Sequence, residues 1–261
     1  MTTSESDPLL TAIRNLARRR GRERRGLALA EGVRLLEEAL AAGVPVRGAA
    51  VSPALEGTPR GRALKIALVE RGIRLVEVAP AMLETLADTE QPQGIVAVVA
   101  PPAWALEQVP TPAGGTVLVL DAVQDPGNVG AILRTALGLG AAGVVALKGT
   151  AELANPKVLR GSMGAAFRLP AAPADPNTFL AWAAARGVEL LVADSHGEPL
   201  RRGARGGTAL AVVLGNEGAG ASPALLAAAH RRVAIPLAPG VESLNVAVAA
   251  GILLYEVTRD A

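Results

Sequence analysis

The chain has 261 residues, 50% of them hydrophobic and 2% aromatic, a formal net charge of +2 and no cysteine. That size and apolar content suit one large or two modest α/β domains. Without cysteine there are no disulfides, thiolate nucleophiles or Cys-based metal sites, and so few rings argue against RNA binding by stacked aromatic ladders.

The first segment, residues 1–26, reads as a basic arm. Within the twelve residues 14–25, Arg14, Arg18, Arg19, Arg20, Arg22, Arg24 and Arg25 stand against a single acid, Glu23, which leaves the remainder of the chain net negative. Such a concentration suits phosphate binding by counterion release, and equally a solvated helical face or a disordered arm. No apolar signal core precedes it, and no stretch reaches the roughly 18 to 20 apolar residues of a membrane span. A cytoplasmic protein is expected.

Residues 27–100 read as a small α/β unit. Strands are expected at 27–30, 46–51, 73–78 and 95–99, and helices at 34–42, 60–71 and 82–87. The stretch PPAWALEQVPTPAGG, 101–115, is rich in proline and reads as a linker.

From Thr116 to the end a second α/β pattern runs through TVLVLDA. It continues with a helix at 129–139, a strand at 144–147, helices at 156–163 and 178–185, and strands at 189–193, 209–214 and 233–237. A long helix from Leu244 to about Arg259 closes it. Strands apolar throughout, alternating with helices, imply a mostly parallel sheet covered on both faces. GLGAAG, 138–143, matches the dinucleotide-binding regular expression, but a helix ends and a strand begins there, the reverse of what that site needs. His196 and His230 lack companions at ligand spacing, so no metal is expected.

Two loops leave strands in the manner of ligand sites: LDAVQDPGNVGAILRTA, with Asn128 and Arg134, and VVLGNEGAGAS, with Gly215 and Glu217. Each is also explicable structurally, Asn128 as a helix cap and Glu217 as a solvated turn. A third stretch, GVESLNVAVAAG, crowds Glu242, Ser243 and Asn245 before an apolar helix. Ser243 sits where a helix cap belongs, and Asn245 and Glu242 point more toward function.

Together NVGAILRTA, PKVLRGSMGAAF, VVLGNEGAG and IPLAPGVESLNVAVAAGILLYE resemble, in order and spacing, the motifs of the SpoU (TrmH) branch of the SPOUT RNA methyltransferases. The resemblance covers 116–258. Residues 12–100 resemble the ribosomal-protein-like α/β substrate-binding domain often placed before it. Gly161, where alanine is common, and Pro156 before Lys157 depart from the pattern.

The resemblance implies transfer of a methyl group from S-adenosyl-L-methionine to a ribose 2′-hydroxyl of RNA, by a homodimer whose C-terminal domain carries a deep trefoil knot. It places Gly215, Ile235 and Leu244, with Leu214, Asn216 and Pro236, around the cofactor. Asn128, Arg134, Glu217, Ser243 and Asn245 match the family's polar active-site positions. Arg160 matches a basic position that holds RNA, and with an RNA substrate Arg18, Arg19, Arg20, Arg22, Arg24 and Arg25 read as phosphate contacts; the loop RRGARGG, 201–207, is a further candidate. A guanidinium stays protonated in proteins, so Arg134 reads first as a charge that stabilises developing alkoxide, and second as a base.

Ribosomal RNA is the expected substrate. Transfer RNA, a resistance methyltransferase acting on the ribosome, and a non-catalytic RNA-binding relative are the alternatives.

Overall fold

The computed structural model describes residues 7–200 and 207–258. The chain divides into two compact units, one of residues 1–102 with 154–167 and the other of 103–153 with 168–261.

The first unit opens with α1 (Pro8–Leu16) and α2 (Arg19–Arg25), followed by β1 (Ala28–Glu31), α3 (Val33–Ala41), β2 (Val46–Val51), α4 (Pro59–Glu70), β3 (Leu75–Glu77), α5 (Pro80–Leu86) and β4 (Ile95–Val99). Its sheet runs β1-β4-β2-β3, antiparallel except for the parallel pair β2 and β3.

The expected basic arm is therefore two helices. The Asp7 carboxylate accepts the Leu9 N–H at 2.8 Å and Pro8 takes the first helical position, which starts α1. Leu9, Leu10, Ile13 and Leu16 then fall on one helical face and are buried in a cluster with Leu29, Val96 and Val98. Burying four such side chains stabilises the docked helix by several kcal/mol at about 1.5–3 kcal/mol each.

The second unit holds β5 (Thr116–Leu120), α6 (Pro126–Gly138), β6 (Gly143–Leu147), β7 (Ala171–Ala174), α8 (Pro176–Ala185), β8 (Glu189–Pro199), β9 (Leu210–Leu214), α9 (Pro223–Ala228), β10 (Arg231–Ala234) and α10 (Val246–Thr258). Between β6 and β7 comes α7 (Pro156–Ser162). The sheet is wholly parallel, in the order β10-β8-β9-β5-β6-β7.

Val117, Val119, Val213 and Val192 pack with Phe179 and Trp182 of α8 on one face. By strand alternation Leu118 and Leu120 point to the other, where Ile132, Leu133 and Ala136 of α6 and Ala250, Leu253 and Leu254 of α10 are buried. α10 lies against α6, β5 and β9.

Two expected boundaries move. Residues 103–115 belong to the second unit rather than to a linker, because Leu106 and Val109 are buried in its core with Trp104 packed beside them. Residues 154–167, expected in the second domain, belong to the first unit: Leu159 and Phe167 pack with Ala28, Leu35 and Leu36. As expected, the GLGAAG segment ends α6 at Gly138 and turns the chain into β6.

Candidate active site

In the sheet order, β5 and β9 are neighbours from which the chain departs in opposite directions, to β6 on one side and toward β8 and β10 on the other. Loops leaving the carboxyl ends of two such strands border a crevice where ligands bind in open α/β sheets. The β5–α6 loop and the turn after β9 are those two loops.

Asp125, not Asn128, caps α6. Its Oδ1 accepts the Asn128 N–H at 2.8 Å, and Pro126 occupies the first helical position. This leaves the Asn128 side chain free for other work. Its Nδ2 donates to Glu217 Oε1 at 3.1 Å, and its Oδ1 accepts from Asn245 Nδ2 at 2.9 Å.

Asn245 is also a cap. Its Oδ1 accepts the N–H groups of Ala247 and Val248 at 2.9 and 3.3 Å, opening α10. The expected cap, Ser243, lies two residues too early. It is exposed, and among the described residues its hydroxyl has no hydrogen-bond partner.

Glu217 reaches back across the crevice. Its Oε2 and Oε1 lie 3.4 Å from the N–H groups of Gln124 and Asp125. Partial burial pushes its carboxyl up, but hydrogen bonds from its own backbone N–H, Asn128, Gln124 and Asp125 outweigh that and hold it below the usual carboxylate range.

The turn that carries Glu217 is tightly built. Asn216 and Gly220 exchange backbone hydrogen bonds of 2.9 Å. Asn216 Oδ1 accepts the N–H groups of Gly218 and Ala219 at 3.0 Å, and its Nδ2 donates to the Ala122 carbonyl at 2.9 Å. The side chain expected to touch cofactor is thus engaged in shaping the turn. Gly215 is required by the same turn, since a Cβ there would stand 2.1 Å from the backbone of Gly220 and Ala221.

Arg134 stands apart from this trio. α6 begins at Pro126, earlier than expected, so Arg134 lies in its third turn. At 100° per residue it points about 120° around the helix from Asn128. Its side chain is exposed, and among the described residues no hydrogen bond or ion pair holds the guanidinium.

Gly215 and Ile235 leave the sheet at the same end. Arg232 is level with Val192, which is level with Val213. Gly215, Ile235 and Leu244 are half-buried, and among the described residues no other backbone group hydrogen-bonds to their N–H or C=O. Pro236 is exposed, and Leu214 is buried with its carbonyl bonded to the Asp121 N–H at 2.8 Å. Apolar side chains beside unpaired backbone donors and acceptors fit a nucleoside held through main-chain contacts, as adenosylmethionine would be.

In the first unit the expected RNA contacts separate. Arg18, Arg19, Arg20, Arg24 and Arg25 are exposed, Arg19 in an ion pair with Glu23. Arg22 is 5% exposed and donates from Nη1 to the carbonyls of Leu16 and Ala17 at 2.9 Å. It closes the end of α1 and is turned away from solvent. Arg160 donates to Asp88 at 3.1 Å and lies 3.8 Å from buried Glu31, which ties α7 to β1. Most of loop 201–207, from 201 to 206, is outside the described residues.

Residue identity gave no signal for one further member: Asp121, buried directly after β5, accepts the Ser222 N–H at 2.6 Å.

Residues 115–255 match the SpoU rRNA Methylase family, and residues 7–97 match the MRM3-like substrate binding domain. The chain is 36% identical over 192 residues to the 23S rRNA (guanosine(2553)-2′-O)-methyltransferase RlmP of Bacillus subtilis, covering 72% of this chain and 73% of that one. It is 33% identical over 254 residues to the 23S rRNA (uridine(2479)-2′-O)-methyltransferase of Streptomyces viridochromogenes, covering 94% and 87%. The AdoMet-bound rRNA methyltransferase from Sinorhizobium meliloti superposes with a TM-score of 0.87 at 30% identity, over 99% of this chain and 97% of that one. With both domain types in the family's order and the polar trio drawn together from three separate motifs, the chain belongs to the SpoU rRNA methylase family.

Proposed function

We propose that the protein methylates a ribose 2′-hydroxyl of ribosomal RNA with S-adenosyl-L-methionine as donor. The observation that carries this is the meeting of Asn128, Glu217 and Asn245 at the carboxyl ends of β5 and β9. The named relatives methylate 23S rRNA, which favours ribosomal over transfer RNA.

Adenosylmethionine supplies an electrophilic methyl group on a sulfonium. Gly215, Ile235 and Leu244 are assigned to hold the donor through backbone groups that no other main-chain group engages among the described residues, with Leu214 and Pro236 as apolar wall. The chain's remaining task is to orient the ribose oxygen in line with the methyl, so that the oxygen–carbon bond would form as the carbon–sulfur bond breaks and the neutral thioether leaves, and to stabilise the oxygen as its proton passes to water. Asn128 and Asn245 present amide dipoles for positioning. Arg134, always protonated, supplies positive charge for the developing alkoxide. Ser243, whose hydroxyl has no hydrogen-bond partner among the described residues, is proposed to bind substrate.

Arg134 lies around α6 from the trio, which supports a site completed by a second copy of the chain. Leu137 of α6 and Val248, Ile252 and Tyr255 of α10 are exposed apolar side chains on two helices packed together, the composition of a buried dimer face. A homodimer would cover them and bring Arg134 to the partner's crevice. The family's trefoil knot is proposed for the second unit, where α10 returns against β5 and β9.

Arg18, Arg20, Arg24 and Arg25 are proposed to contact RNA phosphates. Elsewhere in the first unit Arg60, Lys65, Arg74 and Arg160 are paired with Glu37, Glu56, Asp7 and Asp88, so α2 and its flank carry much of the uncompensated charge. Among the described residues no helix is long and apolar enough to cross a membrane. The cytoplasm, where ribosomal RNA is assembled, is the proposed compartment.

The test is incubation of purified protein with labelled adenosylmethionine and ribosomal RNA lacking the modification. Ribose methylation at a single nucleotide is expected. Binding of RNA without any methyl transfer would establish the non-catalytic alternative instead.

A further inference from the structure

We infer that Asp121 is a positioning residue for methyl transfer: its buried carboxylate, fastened to the Ser222 N–H, holds the 215–222 turn so that Glu217 stays against Asn128. This rests on the reading of Asn128 and Glu217 as active-site groups.

A carboxylate only 5% exposed is costly to bury unless its lone pairs are used. Asp121 engages one carboxyl oxygen across 101 residues of chain: Oδ2 accepts the Ser222 N–H at 2.6 Å, a short hydrogen bond. The Asp121 backbone N–H donates to the Leu214 carbonyl at 2.8 Å and so extends the pairing of β5 with β9 by one residue.

The platform on which Asp121 sits is rigid. Thr150 Oγ1 donates to the Leu120 carbonyl at 2.8 Å, and the Ala151 N–H to the Val123 carbonyl at 2.9 Å. Between them Ala122 is held at φ +57°, a left-handed conformation that costs a non-glycine residue about 1–2 kcal/mol. Its methyl fits because residue 149 is glycine, where a Cβ would stand 2.9 Å from it.

The turn is thus clamped at both ends. Asn216 ties its start to Ala122, and Asp121 ties its end at Ser222. Glu217 lies between, and its own hydrogen bonds with Asn128, Gln124 and Asp125 are 3.1 to 3.4 Å long. The Asn128 bond is of ordinary length and the two backbone bonds at 3.4 Å are long and weak, whereas the two clamps are shorter and fix the turn on either side of the carboxylate. The 2.6 and 2.9 Å clamps set its position, and Glu217 follows.

The test is steady-state methylation of ribosomal RNA by the full-length protein carrying Asp121→Asn, Asp121→Ala, Glu217→Gln, or Asp121→Asn with Glu217→Gln. Misplacing a reacting group by about an ångström costs on the order of a hundredfold. Asp121→Ala is expected to lower kcat at least tenfold, with KM for RNA changed less than about threefold. Asp121→Asn keeps an acceptor for the Ser222 N–H in a weaker, neutral bond, so its kcat is expected between the two. Since the carboxylate acts through Glu217, the double variant is expected to be no slower than Glu217→Gln alone.

If Asp121→Ala does not fold, the Asn variant decides the matter. Wild-type kcat in a folded Asp121 variant, or penalties that simply multiply in the double variant, would overturn the inference while leaving the site standing. Wild-type kcat in Glu217→Gln would overturn the reading of the site and the inference with it.

Discussion

Asn245 and Asn128, 117 residues apart in the chain, share a 2.9 Å hydrogen bond whose direction is fixed from outside the pair. Asn245 Oδ1 must face the two free N–H groups at the start of α10, so its Nδ2 faces Asn128. Asn128 therefore presents Oδ1 to Asn245 and Nδ2 to Glu217. The orphan amides of one helix end thus set the polarity of a relay that ends on a carboxylate.

That double duty can be separated by substitution. Asn245→Asp keeps the acceptor that caps α10 but loses the donor and points a second acceptor at Asn128 Oδ1. Its melting temperature should stay near wild type while methylation falls at least tenfold. Asn245→Ala loses both functions, and a cap is worth about 1 kcal/mol, or about 2–4 °C at this size. Thermal melts run beside single-turnover methylation check both. Equal activity in Asn245→Asp and wild type would remove the relay from the mechanism.

Glu217 makes a prediction about acid. Its folded pKa lies below the unfolded value, so its contribution to stability is present above the ordinary glutamate range, about 4.3, and is lost as pH falls through the folded value. Unfolding free energy followed from pH 6 downward should fall for wild type in that window, and less steeply for Glu217→Gln. Because the carboxylate is ionised throughout neutral pH, Glu217 should contribute no acid limb to the methylation profile above about pH 5.

The fold is legible in the sequence where periodicity is strong. Strands 46–51 and 95–99 match β2 and β4 to the residue. The short strand β7 gives no such signal because Ala171–Ala174 is alanine and proline, tolerated only because it lies at the edge of the sheet. α1 is masked by the charge around it, though Leu9, Leu10, Ile13 and Leu16 spell a helical face. In the candidate site, motif spacing singles out Asn128, Glu217 and Asn245, which the fold brings into hydrogen-bond contact. It does not reveal which asparagine caps, because Asp125 and Asn245 each take over the role expected of a neighbour. Nor does it reveal Asp121, whose importance depends on a backbone N–H a hundred residues away, a pairing that no local pattern records.

The glycines of GNEG make unequal demands. A Cβ at Gly215 would collide with the backbone of Gly220 and Ala221, whereas one at Gly218 would meet only Asn216 Oδ1 at an ordinary 3.7 Å. Gly215→Ala should open the turn, weakening adenosylmethionine binding at least tenfold by calorimetry. Gly218→Ala should melt within about 2 °C of wild type, since surface changes of that kind stay within about 0.5 kcal/mol. Equal behaviour of the two variants would contradict the packing described.

The arginine cluster divides in the same way. Arg22→Ala strips donors from two carbonyls at the end of α1 and should cost about 1–3 kcal/mol in denaturant unfolding. Neutralising Arg20, Arg24 and Arg25 should leave unfolding nearly unchanged. It should weaken RNA binding and lower the slope of log affinity against log salt by about 0.7–0.9 for each phosphate that is no longer neutralised. An unchanged salt slope would move the RNA surface elsewhere.

The separation of Arg134 from the trio is the sharpest handle on assembly. Arg134→Ala should abolish methylation while leaving adenosylmethionine binding largely intact, and Asn245→Asp should be slow for a different reason. If Arg134 serves the partner's crevice, a mixed dimer of the two variants contains one crevice with both intact asparagines and an intact arginine. Mixing the two impaired proteins under exchange conditions should then raise activity to about a quarter of wild type, because random exchange makes half the dimers mixed, each with one complete site of two. If Arg134 instead serves its own crevice, every site in the mixture carries one defect and activity stays at the level of the unmixed variants.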